Sequence, residues 1–230
     1  MTRVKICGIK EPAQAIAAAK AGADYIGIVM APSKRQVDIE QAKAIAAAVK
    51  GSRTLTVGVF VNMPSTEVNH IAKYCNFDRI QLSGDEPCEY VQELHRPAIK
   101  AFKISKDHTS EKLLKELASG YKKANYYFLP LLDCAVNGSY GGTGKAFDWS
   151  IARKAAGTYR FVLAGGLTPE NVAEAIASAR PWGVDVSTGV ETNGLKDVNK
   201  IKAFIAAVHQ ADETLKEKED DQNKCRTATR

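Results

Sequence analysis

Short runs of apolar, often β-branched residues alternate along the chain with longer stretches whose small apolar residues recur every three or four positions, the spacing of one helix face. The first kind predicts strands at Val4–Cys7, Tyr25–Val29, Thr54–Val61, Arg79–Leu82, Ala98–Ile104, Tyr126–Leu132, Phe161–Ala164 and Val184–Ser187. The second predicts helices at Glu11–Ala21, Ile39–Val49, Thr66–Tyr74, Glu86–Leu94, Ser110–Ser119, Trp149–Ala156, Glu170–Ala179 and Val198–His209. Thr168-Pro169-Glu170 carries a helix-start signal, with Thr168 able to cap and proline suited to the first helical position. Eight βα units of nearly equal length fit a closed (β/α)8 TIM barrel better than a doubly wound open sheet. The barrel is expected to occupy residues 1–212. After Gln210 the composition turns to Lys, Glu, Asp and Gln, so residues 213–230 are expected to form a polar tail, a frayed helix extension or disordered.

The 230 residues suit one domain, and 45% hydrophobic with 25% charged residues excludes wholesale disorder. No apolar run approaches the ~20 residues that cross a bilayer. The longest is Ala44–Val49, and the first residues lack a signal-peptide core, so a cytoplasmic protein without membrane contact is expected. The net charge of +6 is spread through helical segments such as Glu111–Lys123 and comes with no zinc-finger or RNA-binding signature. That surplus suits a small anionic ligand rather than nucleic acid. The five cysteines (Cys7, Cys75, Cys88, Cys134 and Cys225) are odd in number, irregularly spaced and without a C-x-x-C pair, which argues against a disulfide framework and a structural zinc site.

A barrel of this class carries its chemistry at the C-terminal ends of the strands and in the loops that follow. After strand seven, Gly165-Gly166 lets backbone amides approach an anion, with a helix start just beyond. After strand eight, Ser187-Thr188-Gly189 is again small and rich in donors. Two such loops at neighbouring strand ends predict a phosphate site, although a tight strand-to-helix turn also explains a Gly-Gly pair. The loop Asn137–Lys145 after strand six, which includes Gly142 and Gly144, suits a lid over substrate or a floppy surface loop. It is no P-loop, because Ala146 follows Lys145 where that motif needs Ser or Thr. Strand alternation puts Cys7 on one face with Lys5, and Asp133 on one face with Leu131 and Leu129. If those faces point inward, a thiol and a carboxyl project from the mouth. A neighbouring cation would lower the thiol toward thiolate, and apolar neighbours would raise the carboxyl toward the neutral acid, a pairing of base and acid. A strand cysteine also reads as inert core, and a strand-end aspartate as a helix cap.

The segments Lys5-Ile6-Cys7-Gly8, Leu131-Leu132-Asp133, Gly141-Gly142-Thr143-Gly144 with Phe147-Asp148-Trp149, Leu163-Ala164-Gly165-Gly166-Leu167, and Gly183 through Glu191 together resemble the phosphoribosylanthranilate isomerase family over roughly residues 3–210. The resemblance implies an Amadori rearrangement in tryptophan biosynthesis without cofactor or metal, acting on a small phosphorylated substrate, in a monomer or homodimer. It implies Asp133 as general acid, Cys7 as general base, Arg35 near the anthranilate carboxylate, Asp185 as an orienting residue, and backbone donors near Gly142, Gly144, Gly166 and Thr188 at the phosphate. One position departs: the family usually has Gln-Leu-His-Gly where this chain has Gln81-Leu82-Ser83-Gly84. Lys5 and Asp185 become neighbours once strands one and eight meet, so a buried ion pair supporting a Cys7 thiolate is expected. The alternatives are a related phosphosugar-amine isomerase of the same barrel class, or a barrel that binds a phosphate ligand without catalysis. The histidine-pathway isomerase uses paired aspartates, and here the first of those positions is Cys7.

Overall fold

Strands that are apolar on both faces leave a sheet no solvent side, a condition met when a parallel sheet is wrapped by helices. In the computed structural model, which describes residues 1–105, 108–125, 127–133 and 149–228, eight strands pair in parallel in chain order. They are β1 (Arg3–Cys7), β2 (Tyr25–Val29), β3 (Leu55–Phe60), β4 (Arg79–Leu82), β5 (Ala98–Lys103), β6 (Phe128–Asp133), β7 (Val162–Ala164) and β8 (Gly183–Val186), and β8 returns to pair with β1. The closed barrel is the one expected from the periodicity. Its helices are α1 (Pro12–Ala21), α2 (Ile39–Ala48), α3 (Ser65–Tyr74), α4 (Ser110–Lys123), α5 (Ser150–Ala156), α6 (Val172–Ala179) and α7 (Val198–Ala228).

Strand parity sorts the core into two parts. Val57, Ile99, Leu131, Val162 and Ala164 meet inside the barrel, with Tyr25, Leu129 and Trp182 packed against them. Ile6, Ile26, Phe60, Ile80, Leu132 and Leu163 point outward into the larger cluster under the helices. Two of the helices start at side-chain caps: Asp38 accepts from the Gln41 amide at 2.7 Å and Thr109 from the Lys112 amide at 3.2 Å.

Three expectations are corrected. Glu86–Leu94 is not an α-helix; only a 3₁₀ turn forms, at Cys88–Glu93, with Val91 as its buried residue. Pro87 enters in an extended conformation, and Glu86 is turned inward, where it accepts from Lys100 Nζ (3.0 Å) and the Asn62 amide (2.7 Å). That anchor removes the first turn a helix would need. Second, α6 begins at Val172 rather than Glu170. The Thr168 hydroxyl does accept from the Glu170 amide, but Asn171 accepts from the Thr168 amide and donates to the Gly166 carbonyl, closing a separate turn before the helix. Third, the helix expected to end at His209 runs on as α7 to Ala228, the helix-extension alternative for the tail, because the Lys, Glu and Gln beyond the core are themselves good helix formers. The expected lid Asn137–Lys145, with Gly142 and Gly144, lies outside the described residues. None of the described helices is long and apolar enough to cross a membrane.

Asp212 on α7 accepts from both the Thr2 amide and the Thr2 hydroxyl, tying the start of β1 to the last helix. Asp212→Ala is expected to lower the unfolding free energy by about 1–3 kcal/mol in a urea titration. Removing the residues after Leu215, which packs against the core, should change it by no more than about 0.5 kcal/mol. Equal losses would show that the tail, not this clamp, secures the strand.

Candidate active site

The seam where the barrel closes carries charge instead of hydrocarbon. Lys5 and Asp185 are register partners across β1 and β8, so their side chains share the inner face. Lys5 Nζ lies 3.0 Å from Asp185 Oδ1, with the two side chains 2% and 9% exposed, so the expected ion pair is formed. Lys5 also interacts electrostatically with Cys7, two residues along the same face. Burial works against the ammonium, yet the fields of Asp185 and Cys7 and the hydrogen bond to Asp185 hold its pKa above the ordinary lysine value.

The expected lowering of Cys7 toward thiolate is not what this environment produces. Burial pushes the thiol up, and the Asp185 carboxylate adds to that push; Lys5 and Lys196 pull it down without cancelling burial. Cys7 therefore rests as a thiol close to the cations that a thiolate would need. Its position depends on a neighbour without a side chain. Gly27 on β2 is its register partner, and a Cβ there would stand 2.7 Å from Cys7 Sγ and 3.0 Å from Lys5 Nζ.

Beside Cys7, the chain leaves β1 through Gly8, at φ +82°, where a Cβ would lie 2.4 Å from Arg35 Cδ. The Arg35 stem thus crosses directly over Gly8, and no L side chain could stand beneath it. Arg35 Nε and Nη2 grip Glu191 at 2.7 and 2.9 Å, and Nη2 also donates to the Thr188 hydroxyl at 2.9 Å. Glu191 opens a short hairpin, β9 (Glu191–Thr192) with β10 (Leu195–Lys196), turned at Asn193-Gly194 with both residues at positive φ. Its register sets Lys196 opposite Glu191, with Nζ 2.7 Å from Oε1. Lys196 Nζ also donates to the Ser187 carbonyl at 2.9 Å. Burial opposes the Glu191 charge, but the hydrogen bonds and fields of Arg35 and Lys196 hold its carboxyl below the usual range.

Asp133 ends β6, half-buried, on the face that Leu131 shares with the inner cluster. Cys7 and Asp133 thus both reach the C-terminal mouth from inside. Gly165 and Gly166 form the turn after β7, and Ser187, Thr188 and Gly189 the turn after β8. Ser83, just past β4, accepts from Gln81 Nε2 at 2.9 Å. The sequence reading left Glu191 without a role and passed over Lys196, although Asn193-Gly194 is the strongest short hairpin signal and would have set the two residues face to face. Among the described residues, no three His, Cys, Asp or Glu gather as metal ligands would.

A closed (β/α)8 barrel with a thiol, a carboxyl and buried cations at its C-terminal mouth has the layout of barrel enzymes that hold anions and move protons. The sequence profile of N-(5'-phosphoribosyl)anthranilate (PRA) isomerase matches residues 4–207. The chain belongs to that family. It is 44% identical over 214 residues to the N-(5'-phosphoribosyl)anthranilate isomerase of Dehalococcoides mccartyi, covering 92% of this chain and 98% of that one. The crystal structure of phosphoribosyl anthranilate isomerase from Thermotoga maritima superposes with a TM-score of 0.80 at 38% identity, over 91% of this chain and all of the other. A phosphoribosyl anthranilate isomerase solved with reduced 1-(o-carboxyphenylamino)-1-deoxyribulose 5-phosphate gives 0.77 at 35% identity, again over 91% of this chain and all of the other.

Gly27→Ala tests the site's dependence on space. The added methyl should displace Cys7 and Lys5 and reduce kcat on the order of 10²-fold, the usual effect of a misplaced reacting group. Circular dichroism should stay unchanged. Full activity in the folded variant would contradict the tight fit around the thiol.

Proposed function

We propose that this chain is a phosphoribosylanthranilate isomerase, converting N-(5'-phosphoribosyl)anthranilate to 1-(2-carboxyphenylamino)-1-deoxyribulose 5-phosphate. The observation that carries the reading is that Cys7 and Asp133, at the ends of β1 and β6, lie on the inner face of one closed barrel. Full-length similarity to relatives of that name supports the substrate class.

Asp133 protonates the ribose ring oxygen as the C1–O bond breaks, and the anilino nitrogen lone pair closes the C1=N iminium. The resting Cys7 thiol yields its proton to solvent, and the thiolate then takes the proton from C2, whose bonding pair becomes the C1=C2 bond of an enolamine. Tautomerisation to the ketone moves the 2-hydroxyl proton to C1, Cys7 keeps the C2 proton as its thiol, and Asp133 recovers a proton from solvent, so none is consumed overall and no oxidant or metal is called for. Each positioned proton transfer contributes about 10²–10⁴-fold.

The substrate carries an anion at each end. Backbone amides around Gly165, Gly166, Ser187, Thr188 and Gly189 suit the phosphate, and Arg35 suits the carboxylate. Glu191 already occupies the Nε/Nη2 edge of Arg35, so a substrate carboxylate shares Arg35 with Glu191 or displaces it. Asp185, held by Lys5, acts on Cys7 through that lysine. Gly142 and Gly144 lie outside the described residues. A monomer or homodimer fits; one solved relative consists of monomers generated from the dimeric Thermotoga maritima isomerase.

The test is fluorescence-monitored consumption of phosphoribosylanthranilate by the wild type, Cys7→Ala and Asp133→Ala. The wild type should turn over substrate, and each variant should lose about 10²–10⁴-fold in kcat with its fold intact. Turnover persisting in both variants would remove the acid/base assignment.

A further inference from the structure

In a closed ring of eight strands β4 stands across the barrel from β8, and there one buried side-chain amide has an unpaired end. Gln81 on β4 is 4% exposed, and its register partners on either side, Val59 and Ile99, are buried hydrocarbon. Gln81 Nε2 donates to the Ser83 hydroxyl at 2.9 Å, while Oε1 is buried without a hydrogen-bond partner among the described residues. An unpaired amide oxygen in such surroundings costs stability that an apolar side chain would not. Two residues on, the Ser83 amide donates to the Phe60 carbonyl at 2.9 Å, so the β3–β4 ladder and its alternation extend that far. Ser83 therefore shares the inner face with Gln81, half-buried at the mouth. The turn beyond it is fixed from outside: the Gly84 carbonyl accepts from Lys100 Nζ at 2.9 Å, and the Asp85 amide donates to Asn62 Oδ1 at 2.8 Å.

We propose that Ser83 binds the carboxylate on the substrate's aromatic ring, and that Gln81 is the positioning residue that aims its hydroxyl. Because Gln81 Nε2 fills a lone pair of Ser83 Oγ, the hydroxyl hydrogen is left for an acceptor in the mouth. The proposal rests on the isomerase reading, in which the phosphate lies at the turns after β7 and β8. A substrate held there by its phosphate extends its other end toward the far side of the mouth, where Ser83 stands. A carboxylate is the strongest acceptor which that end carries. Arg35 reaches this carboxylate only in competition with Glu191, whereas the Ser83 hydroxyl is held by a neutral amide. Serine stands here where the family usually has histidine, so this donor is the chain's own.

The probes are reduced 1-(o-carboxyphenylamino)-1-deoxyribulose 5-phosphate, the compound bound in a solved relative, and the same compound without its ring carboxylate. Both are titrated by calorimetry into wild type, Ser83→Ala, Gln81→Leu and the double variant. Ser83→Ala should weaken binding of the carboxylated compound about tenfold, the low end for a hydrogen bond to a charged group, and leave the other unchanged. Gln81→Leu should show the same selective loss without lowering the urea midpoint, because it removes an unpaired buried oxygen. The double variant should bind no more weakly than Ser83→Ala, since the two residues act as one unit. A merely structural Gln81 would instead lower the midpoint and weaken both compounds alike. If Gln81→Leu does not fold, Gln81→Met replaces it, with the same selective loss expected. Ser83→Ala binding the carboxylated compound as tightly as wild type, or losing equally toward both compounds, would overturn the proposal while leaving the isomerase reading intact. A wild type that binds neither compound would sink the isomerase reading and the Ser83 assignment with it.

Discussion

A charge carried into a protein interior has to meet its opposite there, and in this barrel that requirement governs the mouth. Lys5 lies where β1 and β8 close the cylinder, and a lone ammonium at that depth would be untenable. Asp185 answers it from the register position directly across the seam. The consequences run outward: Lys5 and Cys7 stand two residues apart on one face, Gly27 leaves the room they need, and Gly8 lets Arg35 cross behind them. The polar site is therefore part of how the barrel closes.

The interior divides along its axis. Val57, Ile99, Leu131 and Val162 fill it with hydrocarbon, while thiol, carboxyl and cations crowd toward the C-terminal ends. The apolar layer keeps the dielectric low beneath the site, which strengthens every charge–charge interaction above it. It also makes an unbalanced charge costly, so the protonation of Cys7 is settled by the sum of its surroundings. Burial and Asp185 favour the thiol, and Lys5 and Lys196 favour the thiolate.

Much of this was legible in the linear chain, for identifiable reasons. β2 reads as an apolar run and β4, Arg79-Ile80-Gln81-Leu82, as an alternating one, and both were bounded correctly from periodicity alone. Parity placed Cys7 beside Lys5, and barrel closure placed Lys5 beside Asp185. What stayed hidden depends on sums and on partners far along the chain. The 3₁₀ turn at Cys88–Glu93 replaces a helix because Glu86 is claimed by Lys100, a contact no local pattern announces. The sign of the Cys7 shift follows from burial outweighing two cations. Arg35 carried a visible functional residue type, but its engagement by Glu191 joins positions 156 residues apart. The Glu191–Lys196 pairing was within reach of local reasoning through Asn193-Gly194.

The central claim is that the buried pair at the seam serves the thiol as well as the fold. The most direct measurement is the pH dependence of kcat/KM in a Lys5→Met/Asp185→Leu double variant, which replaces the pair by hydrocarbon and should remain folded, since such exchanges are often neutral for stability. The account predicts an acid-side limb moved to higher pH, with activity near neutrality largely lost. A folded double variant with the wild-type profile would contradict it and reduce Lys5 and Asp185 to packing.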